Sequence, residues 1–530
     1  MATENNRVIF ESPRRESFPM SSDLSLSDAS TELTNMMSRQ FSEPLRLLVT
    51  LLFLLLPLLF TTVKGLAQQQ QQQNHQKLQQ EQQQCSEPKP SGPTTYRHMV
   101  VLVHGYMGSF REQDYLGEAL LRETEKLIGG KEEDTAEEPL SPSSCEAGSS
   151  SNHQMFILNS KANTEVSTDG IAQGGKRLAS EIKEWIAEQT ATIDQTEGES
   201  SSKTVTTFSM VGNSLGGLYG RYALAELEFL HDERNPILPM VFCTTSSPHI
   251  GVSQETFIEL PRWIEPHVAT VFRQQTMNDL FAVKDSTVVR DMCLNPALDS
   301  NDDDDGTDRR DDGSSSSSSS SIPDFLNPLK RFQKRIALAN AYKTDFLVSV
   351  SSGAFLSRES DSIHHHQDAV TSSTRLMKDT GHIALQVVTE PRATRTEKSI
   401  NLSNNADSRD DNDGDESNAT IATTTLGECV ESLDNLGWHK IFIDTRKILP
   451  GFMNLQTPEL KPKASYTSKE LKDHFENYGT LLPVAHPLNM ANSKTDLYRK
   501  VTSLGQPIVD SLAELLVLNL VELSEEQHRV

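Results

Sequence analysis

Positive charge is scarce in this chain. Its 530 residues carry 49 Lys and Arg against 74 Asp and Glu, a net charge of −25. Nucleic acid is bound through a basic footprint, so this balance excludes a nucleic-acid binder. It equally excludes docking on anionic lipid through a basic face. Apolar residues are also few, 36% against the roughly 45–50% of an ordinary globular chain. Either the core is marginal or a normal core is diluted by polar filler, and the filler is visible. Cysteine is rare: Cys85, Cys145, Cys243, Cys293 and Cys429 are scattered, odd in number, and form no CxxC pair. Neither a disulfide framework nor a structural zinc site is expected.

Long apolar runs are confined to one place. Residues 47–63 read LLVTLLFLLLPLLFTTV. At about 1.5 Å rise per residue this run just reaches the lower limit of a membrane span. Arg39 and Arg46 precede it and Lys64 follows, so the positive-inside rule leaves the N-terminus cytosolic and sends the rest across. The competing reading is a cleaved signal peptide, with Gly65 and Ala67 as the small residues before the cut. A buried helix is the third reading, weakened by the glutamine tract Gln68–Gln84 that follows. The expected layout is a disordered segment at 1–44, an anchor or signal peptide at 45–66 and a Gln-rich linker at 67–95. One folded domain then occupies 96–523. The expected localisation is endomembrane or secretory. Asn401 and Asn418 lie in N-x-S/T sequons, which suit a lumenal domain.

Three polar stretches are expected to be inserted loops: 131–152, 299–321 and 357–428. They are rich in Ser, Asp, Glu and Thr, and include the serine run 314–321 and the triple histidine 364–366. Such compositions bury too little apolar surface to offset their ordering entropy. What remains alternates between short apolar runs and helical spacing. The runs 98–105, 154–159, 204–212, 239–245, 335–342 and 437–445 read as buried strands. Residues 171–188, 216–230 and 506–523 read as helices. Strands alternating with helices predict an α/β fold, a mostly parallel sheet covered on both faces.

Chemistry enters at Gly212-Asn213-Ser214-Leu215-Gly216, a G-x-S-x-G between an apolar run and a helix. That context is the strand–turn–helix of a nucleophile elbow. Gly212 and Gly216 clear the side chains that would collide in so tight a turn, and Gly217 lets the helix pack close. Ser214 is then the expected nucleophile, at a helix N-terminus that favours a developing anion. Directly after the first strand comes His104-Gly105-Tyr106-Met107-Gly108. The expected oxyanion donors are the backbone N–H of Leu215 and that of Tyr106 or Met107. His104 precedes the nucleophile and is expected to be structural.

With these motifs placed, the chain resembles the serine esterase or lipase-like α/β-hydrolase family of plants and fungi. The resemblance runs from about residue 97 to 520 and skips the insertions. It rests on VVLVHGYMGS, NSKANTEVSTDGIAQGGKRLASEI, FSMVGNSLGGLYGRYAL, FCTTSSPHIG, DLFAVKDSTVVRDM and RIALANAYKTDFLVSVSS. Two departures stand out: Asn213 replaces the family's usual His, and the acidic and serine insertions have no counterpart. The resemblance implies an α/β-hydrolase fold and identifies Asp345 as the acid. Asp444 is a lesser rival. Among later histidines, His439 lies in a strand and His474 in a charged helical segment. His486 lies in a loop before the last helix, where this fold carries its base.

The expected activity is therefore serine hydrolysis of carboxylic esters by Ser214, His486 and Asp345, with no metal or organic cofactor. The substrate class, a lipid acyl ester, comes from the resemblance. Residues 252–295, with Phe257, Ile258, Leu260, Trp263, Ile264, Val268 and Phe272, are candidates for an apolar lid. The alternatives are a membrane-associated deacylase or thioesterase acting on lipid-modified protein, and an inactive hydrolase-fold scaffold.

Overall fold

The apolar runs assemble into one sheet. The computed structural model describes residues 94–129, 152–196, 203–232, 234–253, 265–266, 274–284, 286–293, 323–345, 348–366, 375–392, 425–448, 460–478, 485–492, 499–500 and 502–529. All belong to the second of two units into which the chain divides, Ser86–Val530. The apolar run 47–63, most of the 131–152 and 299–321 insertions, the lid candidates named above and both sequons lie outside the described residues.

In chain order the strands are β1 (Thr94–Val103), β2 (Asn152–Asn159), β3 (Lys203–Asn213), β4 (Ile237–Thr245), β5 (Lys334–Asn340), β6 (Ile363–His366), β7 (Ile383–Val388), β8 (His439–Ile443) and β9 (Ser465–Thr467). Across the sheet they run β2-β1-β3-β4-β5-β8-β7-β6-β9. Every pairing from β2 to β8 is parallel. The remaining three, β8–β7, β7–β6 and β6–β9, are antiparallel.

The helices are α1 (Asp114–Gly129), α2 (Ile171–Thr196), α3 (Leu215–Ala225), α4 (Gln275–Phe281), α5 (Leu426–Asp434), α6 (Ser468–Asn477) and α7 (Gln506–Arg529), with shorter turns between them. One sheet face is covered by α2 and α3, where Leu178, Ile182, Leu218 and Leu224 meet Phe208 and Phe242. The other is covered by α1 and α7, where Leu116 and Leu120 meet Leu512, Leu516, Val211 and Val241. Asp510 of α7 binds Arg122 (2.5 Å) and Tyr115 (2.9 Å) of α1. Most of α7 lies in the segment Ser503–Gln527, which is long and apolar enough to cross a membrane, yet it is mostly buried against the sheet. Capping boxes start α5 and α6: Thr425 and Glu428, and Thr467 and Glu470, satisfy each other's backbone N–H groups.

Two boundaries extend beyond the expected domain, to Thr94 and to Arg529. A third expectation is corrected. The stretch 357–428 is not a single loop, because its described parts supply β6, β7 and the start of α5. Val387 and Leu385 are buried in β7, and His364 is fully buried in β6 rather than solvated. Polar composition over the whole stretch masked IALQVV, and His364 finds polar company inside. It lies 3.8 Å from Asp434, which holds the buried Lys440 at 2.6 Å. Burial pushes Lys440 down to about 8, against the pull of Asp434.

Trp438, 1% exposed, packs edge-on to Phe242, Phe355 and His249, and its indole N–H donates to the Leu433 carbonyl. Trp438→Ala is expected to lower stability by about 3–5 kcal/mol, read as a fall in the guanidinium midpoint of the full chain.

Candidate active site

The backbone turns sharply between β3 and α3. Ser214 has φ 54 and ψ −128, a left-handed value that a side-chain-bearing residue adopts only under constraint. The constraint is visible. Ser214 N–H donates to Thr245 O at 2.8 Å, and Gly217 N–H donates back to Ser214 O at 3.1 Å. A side chain at Gly216 would strike the Val103 and His104 carbonyls, and one at Gly212 would strike Gly217. Gly217 lies equally close to Ser247. These three glycines therefore permit the turn at all.

The loop after β1 passes directly beside the serine. A Cβ on Gly105 would lie 2.7 Å from Ser214 Cβ and 3.2 Å from Ser214 Oγ. Leu215 opens α3, so its N–H is one of the first-turn donors that no intrahelical acceptor satisfies. The two loop candidates separate here. Met107 N–H is already engaged, donating to Ser167 Oγ at 2.7 Å, which counts against it as an oxyanion donor. Tyr106 remains, its hydroxyl donating to Gln274 just before α4. His104 is buried, with Nδ1 on the Gly105 carbonyl and Nε2 on Thr164.

Asp345 and His486 meet across 141 positions of chain: His486 Nδ1 donates to Asp345 Oδ2 at 2.8 Å. Asn340 Nδ2 donates to the same oxygen at 2.7 Å, and Val348 N–H donates to Oδ1 at 3.0 Å. With Nδ1 carrying the proton, Nε2 is the basic nitrogen. Burial alone would raise Asp345, but the His486 charge and these hydrogen bonds hold it below its ordinary value. Burial alone would lower His486. The Asp345 charge, its hydrogen bond and the Glu112 carboxylate outweigh this, and the imidazole is shifted upward.

The segment bearing His486 is tied to the strand ends that position Ser214. Ala485 N–H donates to Thr344 O. Asn489 donates to Ser246 Oγ (3.1 Å) and Asn340 Oδ1 (2.8 Å), and Thr245 Oγ1 lies 3.1 Å from Met490 Sδ and donates to Asn213 Oδ1 (2.9 Å). That last bond gives Asn213 its place behind the elbow. Among the described residues Ser214 Oγ makes no hydrogen bond to His486. Such bonds are often long before substrate binds. The rival acid Asp444 is occupied by Arg446 through two bonds, at 2.7 and 2.8 Å. His439 is buried against Gln386, and His474 against Tyr342. Among the described residues no group of His, Cys, Asp or Glu gathers as a metal site.

Two residues escaped sequence reading. Glu112 is buried directly under the loop after β1, its carboxylate 2.7 Å from where a Gly108 Cβ would stand. It sits in the polar string FREQ, which carries no pattern. Ser167 joins three elements: its hydroxyl takes Met107 N–H, and its carbonyl takes Tyr219 Oη and Thr276 Oγ1.

A mostly parallel sheet, helices on both faces and a serine at the β3–α3 elbow define an α/β-hydrolase. Residues 93–356, about half of the chain, match the family model described as "Putative serine esterase (DUF676)". No curated protein matches it significantly. Among solved structures it is similar to an extracellular α/β-hydrolase from a Paenibacillus species, at 12% identity and TM-score 0.17, covering 31% of this chain and 45% of the other. A Bacillus licheniformis lipase in propeptide form gives 15% and 0.22, with 48% and 37% covered. A lipase-esterase related protein from Clostridium acetobutylicum gives 10% and 0.20, with 48% and 79% covered. At these TM-scores the fold rests on the topology itself.

Removing the Glu112 charge removes one anion that favours the imidazolium. Glu112→Gln is therefore expected to move the His486 titration to lower pH, and Asp345→Asn to move it further, as read by NMR of the imidazole ring protons.

Proposed function

We propose that this chain is a serine hydrolase of carboxylic esters, with lipid acyl esters as its substrate class. The observation that carries this reading is the buried Asp345–His486 hydrogen bond, 2.8 Å, on a segment anchored to the same strand ends as the Ser214 elbow. On this reading His486 Nε2 takes the Ser214 proton as Oγ attacks the ester carbonyl, and Asp345 stabilises the imidazolium. The Leu215 and Tyr106 N–H groups receive the oxyanion. The ester C–O bond then breaks, and the alcohol leaves with the proton from His486. Water, deprotonated by His486, releases the acid and restores Ser214.

The lipid part of the proposal is supported by the resemblance in sequence. The apolar run 47–63 supports attachment to a membrane, with the hydrolase unit on the lumenal side.

A fluorophosphonate probe tests the reading. The full chain is expected to be labelled, whereas Ser214→Ala and His486→Ala are not. Ester turnover by Asp345→Asn is expected to fall by roughly 10⁴-fold, as when a triad loses the acid that fixes its tautomer. A folded wild-type chain that takes no label would displace the enzyme reading in favour of a scaffold.

A further inference from the structure

The turn that carries Asp345 is strained at two residues that the proposed hydrolysis does not use. Between β5 and Asp345, Tyr342 and Lys343 stand in succession at φ 60 and φ 52. That left-handed region suits glycine, and larger residues keep it only where their surroundings hold them there. Both halves of the acid–base pair hang on this turn. It ends in Asp345, and its Thr344 carbonyl accepts from the N–H of Ala485, the neighbour of His486. Ala341 N–H donates to Ile443 O (2.9 Å) and Thr344 Oγ1 to Ala341 O (2.7 Å), which fixes where the turn leaves the sheet.

The Tyr342 side chain is buried and gripped from several sides. The Arg446 guanidinium lies over its ring, 3.6 Å from the centroid, well within cation–π range. His474 and Phe475 of α6 meet the ring edge-on, with centroids at 5.7 and 5.2 Å. The hydroxyl lies 3.3 Å from His474 Nε2, a long contact for an O–H donor. Arg446 is buried too, and its fork donates to both oxygens of Asp444 at 2.7 and 2.8 Å. That pairing neutralises the buried guanidinium and leaves its flat face for the ring. Asp444 directly follows β8, whose Ile443 receives Ala341. Carboxylate, guanidinium and ring thus form one stack from the end of β8 to the turn before Asp345.

On the reading of Ser214, His486 and Asp345 as a triad, we propose that Tyr342 and Arg446 are positioning residues for its acid. The ring, clamped beneath the guanidinium, holds the left-handed turn and so sets the Asp345 carboxylate against His486. Neither residue touches the reacting atoms. Asp444, the rival acid, serves the same site at one remove by orienting Arg446. Without the ring, the chain between Asn340 and Asp345 relaxes toward ordinary backbone angles and the carboxylate moves with it. A misplacement of about 1 Å costs on the order of 10²-fold in rate. The stacked ring is the acting part, and the hydroxyl is secondary.

The test compares the full chain, its histidines isotope-labelled, with Tyr342→Leu, Tyr342→Phe and Arg446→Lys. Two properties are read: kcat and KM on a p-nitrophenyl ester, and the His486 titration by NMR, assigned by its loss in His486→Gln. Tyr342→Leu is expected to lower kcat about 10²-fold with KM nearly unchanged. It is also expected to move the His486 titration to lower pH, because the Asp345 charge that raises it has shifted away. Tyr342→Phe keeps the stack and is expected to match the wild type in both. Arg446→Lys keeps the charge but loses the fork, and is expected to fall between. A folded Tyr342→Leu with wild-type kcat and titration would overturn the proposal, as would a Tyr342→Phe as impaired as Tyr342→Leu. Should Tyr342→Leu fail to fold, Arg446→Lys decides, and wild-type values in both properties would overturn the clamp. The titration needs no turnover. A wild-type chain without esterase activity, whose His486 still shifts in Tyr342→Leu, would therefore sink the triad and leave Tyr342 as the residue that sets Asp345 against His486.

Discussion

Ser214 is held in a backbone conformation that costs on the order of 1–3 kcal/mol, and its neighbours are arranged to hold it there. The strand before it, the helix after it and the loop beside it converge so closely that Gly105, Gly212, Gly216 and Gly217 have no room for a side chain. The spacing of β1, β3 and α3 is therefore set by glycines, and so is the presentation of the serine hydroxyl. The strain is repaid by packing that spreads far beyond the turn. All but the last residue of α3 are buried, so the helix cannot relax outward to relieve the bend.

A second constraint is electrostatic. Asp345 is a buried carboxylate, and such a group persists only where its lone pairs are met. It accepts from an imidazole, an amide side chain and a backbone N–H, and Asn340 is in turn fixed by Ser246 and Asn489. The acid is thereby held in place by neutral dipoles from β4, β5 and the segment after α6. The same logic governs Lys440 and Asp434, where burial is tolerated because opposite charges are adjacent.

Much of this was legible in the sequence, and the parts that were not share a cause. Five of the six parallel strands are buried over most of their length and the edge strand β2 is half-buried, so each reads as an apolar run. β6 and β9 are antiparallel, short and polar, IHHH and SYT, and β7 lies inside a polar stretch. Nothing in their local pattern marks them as sheet. His364 resembles solvent composition because its partners, Asp434 and Lys440, come from other elements. Ser214 was legible because its turn imposes glycines at fixed offsets. The meeting of Asp345 with His486 joins a residue chosen by resemblance to one chosen by its place in the chain. Glu112 acts only across folded space, and no offset along the chain records it. Met107 and Tyr106 could not be told apart before the loop's path to Ser167 was known.

The helix α7 completes, with α1, the cover over one face of the sheet, and it follows every strand in chain order. During synthesis, therefore, Val211, Val241 and Leu116 have no permanent cover until residues 506–529 have emerged. The same timetable governs the chemistry, because Ser214 is made long before His486. A nascent chain thus carries the Ser214 elbow before the imidazole that pairs with Asp345, and an apolar sheet face that attracts aggregation or chaperones. Completion of the core and the meeting of Asp345 with His486 are a single late event.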